Sequence, residues 1–256
     1  MWIFLRKFAE AFIFLRKEVS IRFLKELIIA VKNKMQKPAK FKIKNKMQQV
    51  KNLDIKKFVE QKTDLADKKK WKEEFFENWH LILLSFFFLF VALILNYVAG
   101  NYADKKGNVS VSDLILDNLP VINLHFLYTY GPILILAILF LYPLIFKISK
   151  FHIVLSQFSL LVMLRSFFVS LTHLTVPKDA IILNLPGVYN FLTFHNDLFF
   201  SAHTAIPFLG FLIYRKINKK LSMFFLIGTI AMALTVLLMH EHYSIDVFAA
   251  FFITYG

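Results

Sequence analysis

Three side chains near the C-terminus have the types and spacing that acid–base chemistry on a phosphate requires. His242 and Asp246 are four residues apart, so on a helix they share one face, where the carboxylate can orient the imidazole. His203 supplies a second imidazole, with Asp197 close before it. Two imidazoles and a carboxylate suit phosphoryl transfer: one imidazole attacks phosphorus or activates the attacking hydroxyl, and the other protonates the leaving oxygen.

Arg165 is the cation that could stabilise the developing negative charge, because a guanidinium can hold two phosphate oxygens. Its position within the third predicted span puts it roughly 14–17 Å from the outer end. It could instead pair with Asp197 or Asp246. His240 and His242 suggest a metal site, but side chains two apart on a helix point apart and no third ligand is evident. We therefore predict no metal and no other cofactor.

Six apolar stretches must position these residues. The chain is 57% hydrophobic, has a mean hydropathy of +0.57 and contains no Cys, which indicates lipid as its solvent and excludes disulfides and thiolate sites. Because about 20 apolar residues cross a bilayer, residues 79–256 are predicted to form an all-α, six-transmembrane-helix bundle. The predicted spans are His80–Ala99, Phe126–Phe146, Ile153–Val176, Leu198–Tyr214, Leu221–Met239 and Tyr243–Gly256. The last would reach only about 21 Å, so we expect it to continue past Gly256 or to be completed in another way.

Residues 1–78 are predicted to be a separate cytoplasmic tail, with 21 basic and 10 acidic side chains. Within the tail, residues 2–31 predict an interfacial helix, with a partner-binding or self-packing helix as the alternative, and residues 32–70 a Lys-rich, partly helical linker. The expected partner of the tail is an anionic lipid surface rather than nucleic acid. The loops after spans two and four are also basic, so the N-terminus is predicted inside and the catalytic end on the exterior or lumenal side.

Four stretches of the chain, in order, resemble the sphingomyelin synthase-like branch of the type-2 phosphatidic acid phosphatase superfamily. They are the acidic loop Ser112–Pro120, Arg165 with residues 171–177, Asp197–Thr204, and His242–Val247. The last two are the most specific. They resemble the motifs Gly-Asp…Ser-Gly-His-Thr and His-Tyr-Ser/Thr-x-Asp-Val in residue type, spacing and order.

The resemblance implies transfer or hydrolysis of a phosphate-linked lipid headgroup at the outer or lumenal leaflet. It implies that His242, oriented by Asp246, is nucleophile or base, and that His203 protonates the leaving oxygen. Membrane lipids would be donor and acceptor. The resemblance also implies residues that bind the substrate phosphate or support the site around it: Arg165, Asp197, Ser201 and Tyr243.

The sequence departs from this family at several positions. Asn196 and Ala202 stand where Gly is usual, His195 where a small residue is common, and Thr235-Val236 where the phosphatase signature has Ser-Arg. Fewer cations suit a phosphodiester better than a dianionic monoester, which favours a transferase. The same departures and the tail leave open a non-enzymatic lipid-binding or scaffold protein. A transporter is a third alternative, but it would need polar residues at every depth.

Overall fold

The computed structural model describes residues 45–181 and 194–256, with side chains described from residue 67 onward. Every regular element in these ranges is helical. The elements are α1 (Asn45–Lys106), a 3-10 turn (Leu116–Asn118), α2 (His125–Phe146), α3 (Ile148–Leu171), α4 (Ala202–Tyr214), α5 (Lys219–Leu238) and α6 (Ser244–Tyr255). The predicted interfacial helix at 2–31 lies outside the described residues, whereas residues 45–70 of the predicted linker belong to α1.

Four of these helices are long and apolar enough to cross a membrane: Asp67–Lys106, His125–Phe146, Ile148–Leu171 and Lys219–Leu238. Large apolar side chains on them stay exposed, such as Phe90 at 63% and Phe167 at 61%, as contact with lipid requires. The prediction of an all-α membrane protein is confirmed. The other two, α4 and α6, have 13 and 12 residues, and therefore reach only about 20 and 18 Å. The count of six spans stays a prediction.

Two predicted boundaries were wrong, and both errors fall beside the candidate site. The third span was predicted to reach Val176, but α3 ends at Leu171. Pro177 disfavours helix in the residue before it, and the Thr175 N–H donates to the Val109 carbonyl at 2.9 Å instead. The fourth was predicted to begin at residue 198, but α4 begins at 202, after a turn held by side chains of other elements.

The chain divides into two compact units. The first comprises Met1–Trp79 and Tyr142–Ser149. In its described part, the buried indole of Trp71 donates to the Leu144 carbonyl at 3.0 Å and stacks on Phe75 with ring centroids 5.5 Å apart. An indole N–H needs such a partner when it leaves water.

The second unit comprises His80–Leu141 and Lys150–Gly256, and it contains the candidate site. Helix α4 approaches α5 closely at Gly210, where an added Cβ would collide with the ring of Phe225. That ring stacks on Tyr214, with centroids 5.2 Å apart, and the Tyr214 hydroxyl donates to the Leu139 carbonyl at 2.8 Å. A buried apolar cluster joins α3, α4 and α6: Leu161, Phe200, Ala205, Leu209 and Ala250.

Candidate active site

The loops at one end of the second unit are bonded to one another through their backbones. The Ser201 N–H, just before α4, donates to the Asp246 carbonyl in α6 at 3.1 Å. The Ile122 N–H donates to the carbonyl of Leu238, the last residue of α5, at 2.7 Å. Because long-range bonds of this kind fix backbone position, the start of α4 and the start of α6 lie together.

A tight turn after α5 delivers His242 to this end. The N–H of His240 donates to the Leu237 carbonyl at 3.1 Å, and that of Glu241 donates to the Val236 carbonyl at 3.0 Å. These are the two bonds of a Schellman motif, in which the residue after the helix takes a left-handed conformation that is usually reserved for Gly. Here that residue is His240, at a φ of 56°. The turn ends α5 and reverses the chain directly before His242.

His242 and Asp246 lie against each other at the start of α6. The distance from His242 Nδ1 to Asp246 Oδ2 is 3.5 Å, which is an ion-pair distance but long for a hydrogen bond. Asp246 Oδ2 also accepts the Tyr243 N–H at 3.0 Å, as a carboxylate at the third helical position does in a capping box. Both groups are buried, with 4% of His242 and 0% of Asp246 exposed. The two side chains are therefore close, but His242 precedes α6, so the prediction that one helix face presents both was wrong. That Asp246 orients the imidazole stays a prediction.

His203, the second residue of α4, brings the other imidazole. Its ring centroid lies 6.3 Å from that of His242, with 60° between the ring planes. Its other neighbour is Tyr128 of α2, whose ring stacks on it at a centroid distance of 4.3 Å. A cavity of about 60 Å³ borders the imidazole, lined by Pro132, Ile135, Ala202, His203, Ile206 and Pro207. The imidazole of His203 in α4, the imidazole of His242 in the turn before α6 and the Asp246 carboxylate share this end, while their catalytic roles stay a prediction.

Arg165 is bonded to the protein through all three of its guanidinium nitrogens. One donates to Asp197 Oδ2 at 2.6 Å, one to the Asp197 carbonyl at 2.7 Å, and Nε to the Phe200 carbonyl at 2.7 Å. The structure thus has the pairing with Asp197 that the sequence left open. Arg165 also lies nearer the end of its helix than predicted, since α3 ends six residues later, or about 9 Å. The group holds the turn that leads into α4.

Ser201 and Tyr243, the other two predicted supporting residues, contact other parts of the protein rather than open space. Ser201 is fully buried and precedes α4, with its Oγ 3.4 Å from Thr204 Oγ1. The hydroxyl of Tyr243 donates to the Thr175 carbonyl at 2.9 Å and accepts the Val111 N–H at 3.2 Å. These contacts give both side chains a positioning function. Direct contact with a phosphate stays a prediction for them.

Asp113 and Asp104 are positioning residues that the sequence did not single out individually. Asp113 Oδ2 accepts the N–H of Ser244, the first residue of α6, at 2.7 Å. Burial raises the pKa of Asp113, but hydrogen bonds from backbone amides, including those of Leu116 and Ser244, hold it below its ordinary value. Asp104 Oδ1 accepts the Asn196 N–H at 2.7 Å. The acidic loop quoted for the resemblance was the signal for Asp113, whereas nothing in the sequence indicates a partner for Asp104.

Several buried polar atoms at this end lack a hydrogen-bond partner among the described residues: Asn196 Oδ1, His240 Nε2, His242 Nδ1 and Asp246 Oδ1. Such atoms are rare in native proteins and often mark a site where a ligand binds or chemistry occurs. Burial also raises the pKa of Glu241, beside His242, to about 7, although the charge of His242 lowers it. In the described ranges, no three His, Asp or Glu side chains are placed to hold a metal ion.

Comparison with known proteins gives one match for this part of the chain. A family model described as PAP2 superfamily C-terminal matches residues 196–256, the segment that carries both imidazoles and the carboxylate. No curated protein matches the chain. The match supports the type-2 phosphatidic acid phosphatase superfamily for this segment and, with it, a lipid phosphatase-type function in general.

Proposed function

We propose that this protein is a lipid phosphotransferase or phosphatase that acts on phosphate-linked headgroups through His203, His242 and Asp246. One observation carries the proposal: two imidazole rings, one in α4 and one in the turn before α6, lie 6.3 Å apart, with a buried carboxylate beside one of them. That separation leaves room for a phosphorus centre between a nitrogen of each ring. The family match to residues 196–256 supports the same class of reaction.

In the proposed mechanism, Asp246 faces Nδ1 of His242 and leaves Nε2 to react. Nε2 attacks phosphorus, an N–P bond forms, and the P–O bond to the departing lipid breaks as His203 protonates the leaving oxygen. His203, now neutral, then takes the proton of the acceptor hydroxyl. The acceptor oxygen attacks phosphorus, and the N–P bond breaks. In the alternative mechanism, His242 activates the acceptor hydroxyl for direct attack, without an N–P bond.

A transferase of the sphingomyelin synthase-like kind is the finer proposal. The three nitrogens of Arg165 already bond to Asp197 and Phe200, so this guanidinium is poorly placed to neutralise a dianionic phosphate monoester. A phosphodiester headgroup carries one negative charge and needs less compensation. We further propose that the N-terminus is cytoplasmic and the site exterior or lumenal, because Lys150, Arg215 and Lys216 lie at the opposite helix ends.

The test is a headgroup-transfer assay on purified protein in bilayers. Phosphatidylcholine is the donor, and ceramide or diacylglycerol is present or absent as acceptor. We expect headgroup to appear on the acceptor, and His203→Ala and His242→Ala each to reduce the rate by about 100-fold or more. His195→Ala is the matched control, because His195 is an exposed imidazole in the same segment. Phosphate release that ignores the acceptor would instead indicate a phosphatase.

A second candidate function is a non-enzymatic lipid-binding or scaffold protein. One observation favours it: the cavity beside His203 is about 60 Å³, well below the roughly 300–1,000 Å³ of ordinary small-molecule sites. Ala202 adds a methyl group to its wall where the resembling family usually has Gly. If a lipid phenotype in cells survives both His203→Ala and His242→Ala, this second function is correct and the enzymatic proposal is wrong.

A further inference from the structure

The loop between α1 and α2, residues 107–124, exposes apolar side chains at the same end of the second unit as the candidate active site. Single exposed apolar residues are ordinary on a protein surface, but this α1–α2 loop exposes five large ones close together: Val109, Val111, Leu114, Val121 and Ile122. The most exposed is Leu114, at 86%. The loop contains no Lys or Arg, so it has no basic side chain to attract an anionic surface. Any contact that it makes with a membrane is therefore apolar.

A neighbouring loop at the same end has a different surface. Residues 172–181, which follow α3, are bonded to the α1–α2 loop through the Thr175 N–H, which donates to the Val109 carbonyl at 2.9 Å. These residues expose the charged side chains of Lys178 and Asp179 and no large apolar side chain. Two adjoining loops at the same helix ends thus present one charged and one apolar surface. The difference indicates that they meet different surroundings, water for the first and lipid for the second.

The backbone around Leu114 makes its hydrogen bonds within the loop. Asp113 Oδ1 accepts the N–H groups of the second and third residues after it, at 2.9 and 3.1 Å. The N–H groups of residues 117–119 donate to carbonyls three or four residues before them. The Leu114 carbonyl accepts the side-chain amide of Asn118 at 2.8 Å. A segment exposed to lipid must satisfy its backbone groups internally, because hydrocarbon provides no partner. The turn that carries Leu114 meets this requirement.

Contacts with the membrane helices put the α1–α2 loop at the edge of the hydrocarbon layer. The Ile122 N–H donates at 2.7 Å to the carbonyl of Leu238, the last residue of α5. Helix α5 has 20 residues, and its length of about 30 Å equals the thickness of a hydrocarbon core. The loop then continues into α2, whose first turns expose Phe126 at 74% and Tyr130 at 55%, with ring centroids 4.9 Å apart. Its apolar surface is therefore continuous with the lipid-facing surface of α2.

We propose that the α1–α2 loop inserts the side chains of Leu114, Val121 and Ile122 into the leaflet at the candidate active-site end. Continuity with α2 and the internally bonded backbone make the bilayer the partner of this surface. Asp113 connects the inserted turn to the site, because its Oδ2 accepts the N–H of Ser244, the first residue of α6, at 2.7 Å. The loop thereby holds the start of α6 at a fixed depth. This contact with lipid requires no catalytic activity.

Fluorescence quenching in bilayers tests the proposal. The sequence contains no Cys, so the full-chain variants Leu114→Cys and Val121→Cys each carry an NBD label at one known position. The labelled proteins are placed in phosphatidylcholine nanodiscs, where both faces are open to quenchers. We expect lipids brominated on the acyl chain to quench both labels, and aqueous iodide to quench them severalfold less than it quenches the control Lys178→Cys. Lys178 is the matched control because it is exposed on the neighbouring loop at the same end.

Phe90→Cys provides the reference for a lipid-facing label, because Phe90 is 63% exposed within the apolar span of α1. Iodide quenching at residues 114 and 121 equal to that at 178, without quenching by brominated lipid, overturns the proposal. Protection from both quenchers would mean that protein covers the loop, either another part of the chain or a second copy, and overturns it as well. Headgroup transfer is not measured in this experiment, so this proposal and the proposed function fail separately.

Discussion

Two polar groups at the same end of the second unit differ in how completely the protein satisfies them. In the first, the three nitrogens of Arg165 donate to Asp197 and to the Phe200 carbonyl at 2.6–2.7 Å. In the second, His242 Nδ1 and Asp246 Oδ2 are 3.5 Å apart, and buried atoms lack partners among the described residues. A saturated group contributes stability by holding a turn, whereas an unsaturated one keeps hydrogen-bonding capacity for a substrate. Substitutions in the first group should therefore lower stability more than activity, and substitutions in the second should lower activity more than stability.

The largest effect is expected in the unsaturated group. Asp246→Asn keeps an oxygen that can accept the Tyr243 N–H but removes the charge beside His242. We expect headgroup transfer to fall by about 100-fold or more, with the free energy of unfolding lowered by about 1 kcal/mol or less. Transfer rates and thermal unfolding in detergent measure the two quantities. If stability fell sharply and the activity of the folded fraction did not change, Asp246 would belong with the saturated group.

Arg165→Lys should show the opposite signature. A lysine cannot reproduce the three-way contact with Asp197 and Phe200, so we expect the free energy of unfolding to fall by about 3 kcal/mol, as for other broken buried ion pairs. Activity should fall with the folded fraction. Asp197→Asn is the companion variant and should be destabilised in the same way. A variant with wild-type thermal stability and no transfer would show that Arg165 contacts the substrate.

Tyr243→Phe tests whether the hydroxyl of this motif residue has only structural hydrogen bonds. Its hydroxyl bonds to the Thr175 carbonyl and the Val111 amide, so its removal should lower the free energy of unfolding by about 1–2 kcal/mol. KM and kcat should stay near wild type at a temperature where the variant is folded. Tyr130→Phe is the control, because the side chain of Tyr130 is 55% exposed. A large change in kcat for Tyr243→Phe alone would mean that the hydroxyl takes part in the reaction.

His240→Gly has the smallest expected effect, and this effect is a gain in the free energy of unfolding relative to His240→Ala. The residue has a φ of 56°, which costs a non-Gly residue roughly 1 kcal/mol. We expect the Gly variant to be more stable than His240→Ala by about that amount, since both lose the imidazole and only Gly relieves the backbone. Thermal unfolding of the pair measures the difference. Equal stability would mean that the turn after α5 is not strained at this residue.

Much of this site could be predicted from residue types and spacing. The spacing of His242 and Asp246 predicted that they lie close together, although His242 precedes α6 and only Asp246 lies in it. The apolar stretches predicted where the membrane helices lie, whereas α1 extends well beyond the predicted span His80–Ala99 at both ends. The end of α3 and the start of α4 could not be predicted as well, because hydrogen bonds with Val109 and Arg165 define them across long stretches of chain. No local pattern encodes such partners.

Two further features were beyond prediction for the same reason. The turn after α5 has His240 where its geometry normally indicates Gly, so the sequence carries no turn signal there. Tyr128 stacks on His203 from another helix, a contact that depends on how α2 packs. What the sequence did provide was the identity of the chemical groups. The fold determines which of them remain unsatisfied.

The shortness of α4 has a consequence for the surrounding bilayer. Only residues 215–218 separate α4 from α5, so their adjoining ends lie at one level, and α5 has 20 residues against 13. The start of α4, with His203, therefore lies about 10 Å below the far end of α5. For the function that we propose, a lipid whose headgroup reacts beside His203 must sink, or the membrane must thin locally around the protein. Turnover should accordingly rise in short-chain lipids and decline as acyl chains lengthen.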